Sequence, residues 1–301
     1  MKQTTRAAAP PPRSTGHGPI ARSKTGPPVV SRATTTSSVP AKTDPLANLL
    51  LADAGAGQEA MGTQDYAIPR LTILQSLSPQ VNKRDEAYLD GAEAGMIFDS
   101  VMGRTWDGER GLEAILVKYR RAYIEWIPRN KGGGFVADHG SNPEVLAKCA
   151  RTDTGFFLPS GNEIVTVAEY FAFILNEDGP VDHVLIGFAK TQLKKARRLN
   201  TMISQFLVQH PSGTGMFNPA MFYRTYKLTT GPEQNDKGSW FGWNIEPGRN
   251  VLDLDNGEQL YMEARAFFTK INEGKVQVAT PVASGLAEPE VPLAEANDAP
   301  M

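Results

Sequence analysis

Apolar and polar residues alternate through most of the middle of this chain, a pattern that is typical of half-buried β-strands. The strand-rich segments also contain many valine, isoleucine and aromatic residues, which fit a pleated surface. The pattern predicts strands at 95–101, 112–119, 121–127, 163–175, 181–188, 221–230 and 238–246. Turn signals such as Asp107-Gly108 and the glycines at 132–134 separate them.

After residue 190 the spacing of the apolar residues changes from a repeat of two residues, typical of a strand, to one of 3.6 residues, typical of a helix. On a helical wheel Leu193, Ala196 and Leu199 share one arc, and the opposite arc is basic. Segment 190–208 is therefore predicted to be an amphipathic helix, with one side on a sheet and a basic side toward solvent. Shorter signals predict helices at 46–52 and 258–271, whereas 69–78 fits a strand or a helix.

This order of elements predicts a mainly β, α+β fold. Several strands, one helix and then more strands fit an OB-like small barrel with a crossover amphipathic helix and a C-terminal helix. A β-sandwich with one crossover helix would give nearly the same order. The sequence alone leaves both architectures open.

Composition divides the 301 residues into three parts. Residues 1–44 are rich in Pro, Ser and Thr, carry seven bases against one acid, and are predicted to be a disordered basic arm. Residues 45–275 are predicted to form one folded domain. Residues 276–301 carry four acids and no base, and are predicted to be a disordered acidic tail.

Several classes of protein are not expected from the composition. There is no apolar run long enough to span a bilayer and no continuous apolar signal-peptide segment. Cys149 is the only cysteine, so no disulfide can form within the chain, as is typical of a reducing cytoplasm. No metal-ligand spacing or catalytic motif is found, so the sequence predicts a non-enzymatic protein without a cofactor or metal.

Positive charge is concentrated in one region, although the net charge of the chain is −2. Residues 183–232 contain no Asp or Glu and seven Lys or Arg, and aromatic residues are interleaved with these bases. Lysine and arginine neutralise phosphates, while unpaired bases stack on aromatic rings. The region therefore predicts a surface for single-stranded nucleic acid. A merely solvated helix face, or a face for an acidic protein partner, is the alternative.

Three segments supply the candidate nucleic-acid-binding residues. The predicted helix contributes the first group, strand 121–127 and the loop after it the second, and the strands around the 235–238 turn the third. The candidates are Lys190, Lys194, Lys195, Arg197, Arg198, Arg121, Tyr123, Arg129, Lys131, Tyr223, Lys227, Lys237 and Trp240. Trp126 is expected to pack in the core, because it alternates with Tyr123.

Four segments carry a resemblance to a known family: 123–129 (YIEWIPR), 132–136 (GGGFV), 191–198 (TQLKKARR) and 235–243 (NDKGSWFGW). Over roughly 65–275 the chain resembles tailed-bacteriophage and prophage single-stranded-DNA-binding proteins of the OB-fold type. The resemblance implies a protein that coats single-stranded DNA during phage replication or recombination in the infected bacterial cytoplasm.

The same resemblance bears on partners. Proteins of this type recruit replication proteins through an acidic tail, but here the tail has only four acids and ends in Met301. A homo-oligomer is compatible with this interpretation. The competing hypotheses are a phage structural or assembly protein that binds an acidic partner, a strand-annealing recombination protein, and a metal-dependent nuclease.

Overall fold

The computed structural model describes residues 45–61, 65–176, 180–236 and 238–281. The predicted basic arm, most of the acidic tail and Lys237 lie outside these residues. The chain divides into two compact units, 1–56 and 57–301. The described part of the first unit contains the short helix α1, Pro45–Ala52, whose Leu49, Leu50 and Leu51 side chains are exposed.

The second unit is built mainly from strands. Its strands are β1 Arg70–Ile73, β2 Ile97–Asp99, β3 Thr105–Trp106, β4 Leu112–Trp126, β5 Phe135–Asp138, β6 Ala150–Arg151, β7 Phe156–Phe157, β8 Glu163–Ile174, β9 Asp182–Ala189, β10 Val208–Gln209, β11 Met216–Phe217, β12 Arg224–Asn235 and β13 Gly238–Asn250. Its helices are α2 Glu144–Ala147, α3 Leu193–Gln205 and α4 Gly257–Asn272. The predicted mainly β class is confirmed.

One large sheet forms the body of this unit. Its strands follow the order β13-β12-β4-β8-β9-β1-β2-β3, with β5 beside β4 and β7 beside β8. All pairs along this order are antiparallel except β1 with β9, which is parallel. The separate β10–β11 hairpin follows α3.

The sheet curls so that the end of β1 approaches β13. Leu71 in β1 and Trp243 in β13, which are far apart in the strand order, belong to the same buried cluster, so this cluster lies inside the curl. The side-chain amide of Gln75 replaces a strand pairing at the meeting point: its Oε1 accepts from the Phe241 N–H at 2.8 Å, and its Nε2 donates to the Phe241 carbonyl at 3.0 Å. The result is a half-barrel.

Strand β4 is longer than the sequence predicts. The expected break near residue 120 is wrong, because Arg120 stays paired with Glu169 in β8 and the irregularity lies earlier, between Leu116 and Lys118. The charged Arg120–Glu169 pair interrupts the alternation of apolar residues, but the strand continues through it.

Two helices cover the two faces of the sheet. Helix α3 packs on the inner cluster through Ala196 and Leu199, while α4 packs on the opposite face, where Phe267 stacks on Phe173 at 5.4 Å. The predicted helix 190–208 is shorter in the structure, because Lys190–Gln192 forms a 3₁₀ turn and the chain becomes extended at Phe206. None of the helices in the described ranges is long and apolar enough to cross a bilayer.

The folded part continues beyond residue 275, the predicted boundary. Val278 forms a parallel bridge with Ile68, and the Ala279 N–H donates to the Ile68 carbonyl at 2.9 Å. The Ala279 carbonyl in turn accepts from Arg70 Nε at 2.8 Å. These contacts place the start of the predicted tail, up to Ala279, on the body of the sheet.

Candidate nucleic-acid interface

The outer face of α3 carries accessible positive charge. Lys194, Arg197 and Arg198 are exposed there, whereas Ala196 and Leu199 are buried against the sheet, so the predicted amphipathic arrangement is present. None of these three cations is in ion-pair contact with an acid of the described residues. Their spacing places them on adjacent turns of a single helix face.

Lys195 and Trp240 are not part of this exposed face. Lys195 forms an ion pair with Glu233 and donates to the Trp243 carbonyl. Trp240 is only 6% exposed, and its Nε1–H donates to Glu233 Oε2 at 3.0 Å. The prediction that Trp240 presents an open stacking surface is wrong, because the β12–β13 hairpin packs against α3 around the Glu233 carboxylate.

Gly242 makes the packing of the β12–β13 hairpin against α3 possible. A Cβ at Gly242 would lie 2.4 Å from Glu233 Oε1 and 2.6 Å from Gln192 Nε2. The Gln192 side chain, which is buried, donates to Glu233 Oε2 at 3.0 Å and accepts from the Trp243 N–H at 3.1 Å. The polar cluster of Gln192, Lys195 and Glu233 therefore attaches the start of α3 to the hairpin.

A cavity of about 650 Å³ lies beside the turn that leads into α3. Its cations come from two distant parts of the chain: Arg129 and Lys131 from the 3₁₀ turn after β4, and Lys190 from the turn before α3. Glu163 is the acid among the lining residues. The fold thus brings together three of the predicted cations, around an opening that the sequence does not reveal.

Lys190 is held in an unusual position. It is the one non-glycine residue with a positive φ, 48°, within the described chain. Its Nζ lies 3.1 Å from Glu163 Oε1, and burial lowers its pKa, with Glu163 opposing the decrease and the charge of Arg129 adding to it. Lys190 and Arg129 both line the cavity.

Glycines shape the rest of the cavity wall. A Cβ at Gly161, whose φ is +84°, would lie 2.5 Å from Lys131 Nζ, so the lysine amine lies where a side chain would be in another residue. Gly133 and Gly134 also have positive φ and line the cavity. Gly133 and Gly134 therefore form part of the wall beside the cations.

Trp126 is buried, as the sequence predicts, but it also lines this cavity. It is 5% exposed and packs edge-on against Phe135 at 5.9 Å. Its Nε1–H has no hydrogen-bond partner among the described residues. Phe157 is a second aromatic residue of the lining, and the sequence analysis did not select it.

Tyr123 lies in the interior, so its predicted role as a stacking platform is wrong. It is 5% exposed and packs with Val145 and Ile164. The alternation of β4 correctly placed Tyr123 opposite Trp126, but it could not show that the segment around α2 covers this face. Arg121, on the same face, is exposed at the rim of the covered region.

The remaining predicted residues lie elsewhere on the sheet. Tyr223 is half-buried, with its ring 6.2 Å from that of Phe206. Lys227 is exposed but pairs in register with Glu246 on one neighbouring strand and Glu113 on the other, so acids flank its charge. Phe217, in the β10–β11 hairpin after α3, is 37% exposed and is an aromatic ring outside the residues predicted from the sequence.

The described residues contain no group of three His, Cys, Asp or Glu side chains that could hold a metal ion. Glu125 and His139 form an acid–histidine contact, in which Glu125 Oε2 is 2.8 Å from His139 Nε2. Asn162 donates to Glu125 Oε1 at 2.6 Å, and this bond is the main cause of the lowered Glu125 pKa. Because the carboxylate is held by two partners inside the fold, its contacts are those of a structural group.

The geometry defines a β-rich protein with exposed cations on one face of α3 and further cations around the cavity at the start of that helix. The family model described as Pam3 phage gp34-like protein matches residues 40–277. Because this match covers most of the chain, the protein belongs to that family, which confirms the phage part of the resemblance. No curated protein and no solved structure matches the chain.

Proposed function

We propose that this phage protein binds single-stranded DNA without sequence specificity and coats it during phage DNA replication or recombination. The observation that carries the proposal is the set of α3 cations, Lys194, Arg197 and Arg198, exposed without an acid partner among the described residues. Ordinary surface helices mix charges of both signs, because like charges on adjacent turns repel. A phosphate backbone supplies the missing negative charge.

The proposed interface is smaller than the one expected from the sequence. It consists of the α3 face and the cavity with Arg129, Lys131 and Lys190, with Arg121 and Tyr223 as peripheral candidates. The proposed interface leaves out Lys195, Tyr123 and Trp240, whose contacts are internal, and Lys227, which has acids beside it on both neighbouring strands. Phosphate contacts carry no direct sequence information, so binding through them is expected to tolerate any sequence.

Several parts of the proposal go beyond the described fold. We infer an OB-type identity for the half-barrel, a non-enzymatic role without a cofactor, and action in the cytoplasm of the infected bacterium. Recruitment of replication proteins would use the acidic tail, whose acids lie outside the described residues. A homo-oligomer on the strand is compatible with the proposal.

The test is a titration of the full chain with a labelled dT30 oligonucleotide and with a matched duplex, at low and moderate salt. We expect tight binding to the single strand, weaker binding to the duplex, and a steep loss of affinity with salt. Equal binding to both would indicate non-specific attraction by the basic arm.

The other hypotheses give different results in the same experiment. A protein that binds an acidic protein partner would show no affinity for dT30 at any salt concentration. A strand-annealing protein would bind dT30 and would also accelerate pairing of complementary strands, with rings or filaments visible by electron microscopy.

A further inference from the structure

The α3 surface binds phosphates along a strand, but the cavity beside it has a different character. It is a concave site with both cationic and aromatic lining, whereas the α3 face is an open helix surface. Its volume of about 650 Å³ lies within the range of small-molecule sites in proteins, roughly 300–1,000 Å³. Such a volume is large enough for one nucleotide.

The charge of the cavity favours an anion. Its lining carries three bases and one acid, Glu163, and hence a formal charge of +2. Arg129 and Lys190 line the cavity together, and the Lys131 amine lies against Gly161, which is also part of the lining. An anion placed among these groups gains charge-assisted hydrogen bonds, which a phosphate forms well with arginine and lysine.

The apolar part of the lining favours a planar group on that anion. Trp126, Ile127, Pro128 and Phe157 form this part of the cavity. Aromatic rings stack on nucleobases with little regard to base identity. A ligand with a phosphate at one end and a flat ring at the other matches both halves of the lining, whereas inorganic phosphate would use one half alone.

We propose that this cavity binds a single nucleotide, with its phosphate at Arg129, Lys131 and Lys190 and its base against Phe157. The inference rests on the proposed function, because it assigns the nucleotide to a bound DNA strand. A base inside a duplex is stacked and paired and cannot enter the cavity, so this site would favour single strands over duplex. The α3 face would then hold the neighbouring phosphates.

The first experiment measures binding of dCMP, deoxycytidine and inorganic phosphate to the full chain by calorimetry. We expect dCMP to bind at least about tenfold more tightly than either fragment, since each fragment lacks one half of the contacts. Equal binding of phosphate and dCMP would overturn the assignment of a base site. The absence of dCMP binding would overturn the whole inference.

Variants of the protein test which residues bind dCMP. Arg129→Ala/Lys131→Ala changes two exposed side chains and should weaken dCMP binding at least about tenfold. Phe157→Leu keeps an apolar side chain but removes the aromatic ring, and should weaken dCMP binding more than phosphate binding. Lys83→Ala/Arg84→Ala removes two exposed cations outside the lining and serves as the control. Unchanged dCMP affinity in Arg129→Ala/Lys131→Ala would contradict the proposed site.

The source of the nucleotide is tested with dT30 bearing or lacking a 5′-phosphate. If the phosphorylated strand binds more tightly and Arg129→Ala/Lys131→Ala loses this difference, the cavity binds the end of a strand. If both strands bind equally and the same variant weakens both, the cavity binds an internal nucleotide. If dT30 binds and dCMP does not, the cavity inference fails and the proposed function stands. If dCMP binds and dT30 does not, the proposed function fails, and the assignment to a strand fails with it.

Discussion

Two groups of cations, one within the sheet and one in turns beside it, have different surroundings. Arg70 and Arg120 face the Glu169 carboxylate, with 2.5 Å from each arginine to a different carboxylate oxygen, and Asp138 lies 2.9 Å from Arg120 Nη2. In this group two acids balance two bases, and the Glu169 side chain is fully buried. Arg129, Lys131 and Lys190 instead line an open cavity that contains one acid, Glu163.

The difference shows that the number of cations in a segment says little about binding. What matters is whether the fold supplies counter-charges and whether solvent reaches the group. The Glu169 group uses its charges internally, to join β1, β4 and β8 and to fix the Ala279 carbonyl. In the proposed function, by contrast, the cations of α3 and of the cavity contact an external anion. The following predictions test this contrast.

The largest effect is expected from Glu169→Gln. The substitution removes the carboxylate charge between Arg70 and Arg120, and breaking a buried ionic network in this way costs about 3–5 kcal/mol. Urea unfolding measures the change in free energy. Glu246→Gln, at an exposed acid, is the matched control and should change stability by less than about 0.5 kcal/mol. Similar costs for both variants would contradict the structural role of the Glu169 group.

The next effect concerns binding. Lys194→Glu/Arg197→Glu should weaken dT30 binding by more than about tenfold and lower the slope of log affinity against log salt by about 1.4, since each phosphate contact to a single strand contributes about 0.7. The change in unfolding free energy should be small, because both side chains are exposed. Fluorescence anisotropy at several salt concentrations measures the slope.

The control for that variant is Lys83→Glu/Arg84→Glu, which makes the same change in net charge at two exposed cations away from α3. Its affinity and salt slope should stay close to those of the unchanged protein. If both variants lose affinity equally, overall charge governs binding and the α3 face is not the interface.

A smaller effect separates the Glu233 cluster from the interface. Trp240→Phe removes the hydrogen bond from Nε1 to the Glu233 carboxylate and should cost about 1.5–3 kcal/mol of stability, as is typical of bonds to charged groups. Its dT30 affinity should not change, because the ring is buried. If Trp240→Phe is fully folded and still loses dT30 affinity, Trp240 belongs to the binding surface.

The smallest effect is a dependence of stability on pH. His183 packs between Phe173 and Phe267, and burial lowers its pKa below the ordinary value of about 6.5. Nearby Glu263 and Asp182 oppose the decrease, while Lys270 adds to it. Between the lowered pKa and the ordinary one the unfolded chain binds more protons than the folded chain, so stability should fall as the pH decreases below about 6.5.

Thermal unfolding from pH 7.5 to pH 5 measures this dependence, with His183→Gln as the comparison. The variant should lose less stability over this interval than the unchanged protein, because it lacks the titrating ring. Parallel curves for the two proteins would assign the pH dependence to other groups.

The sequence by itself determined the features that depend on local periodicity. It predicted the mainly β class, the amphipathic α3 with its basic face, α4, and the burial of Trp126, because a strand or a helix places neighbouring side chains at fixed angles. For the same reason it placed Tyr123 and Trp126 on opposite faces of β4. It also identified Arg129, Lys131 and Lys190 as separate candidates.

The tertiary structure decided how these residues are used. Tyr123 is buried because α2 and its neighbours cover its face, and Trp240 is buried because the β12–β13 hairpin packs on α3 around Glu233. Lys190 meets Arg129 and Lys131 at one cavity because β4 and β9 both pair with β8, which brings the turn before α3 close to the end of β4. Periodicity specifies which face a side chain occupies, but the covering of that face and the acids near it depend on contacts between distant segments.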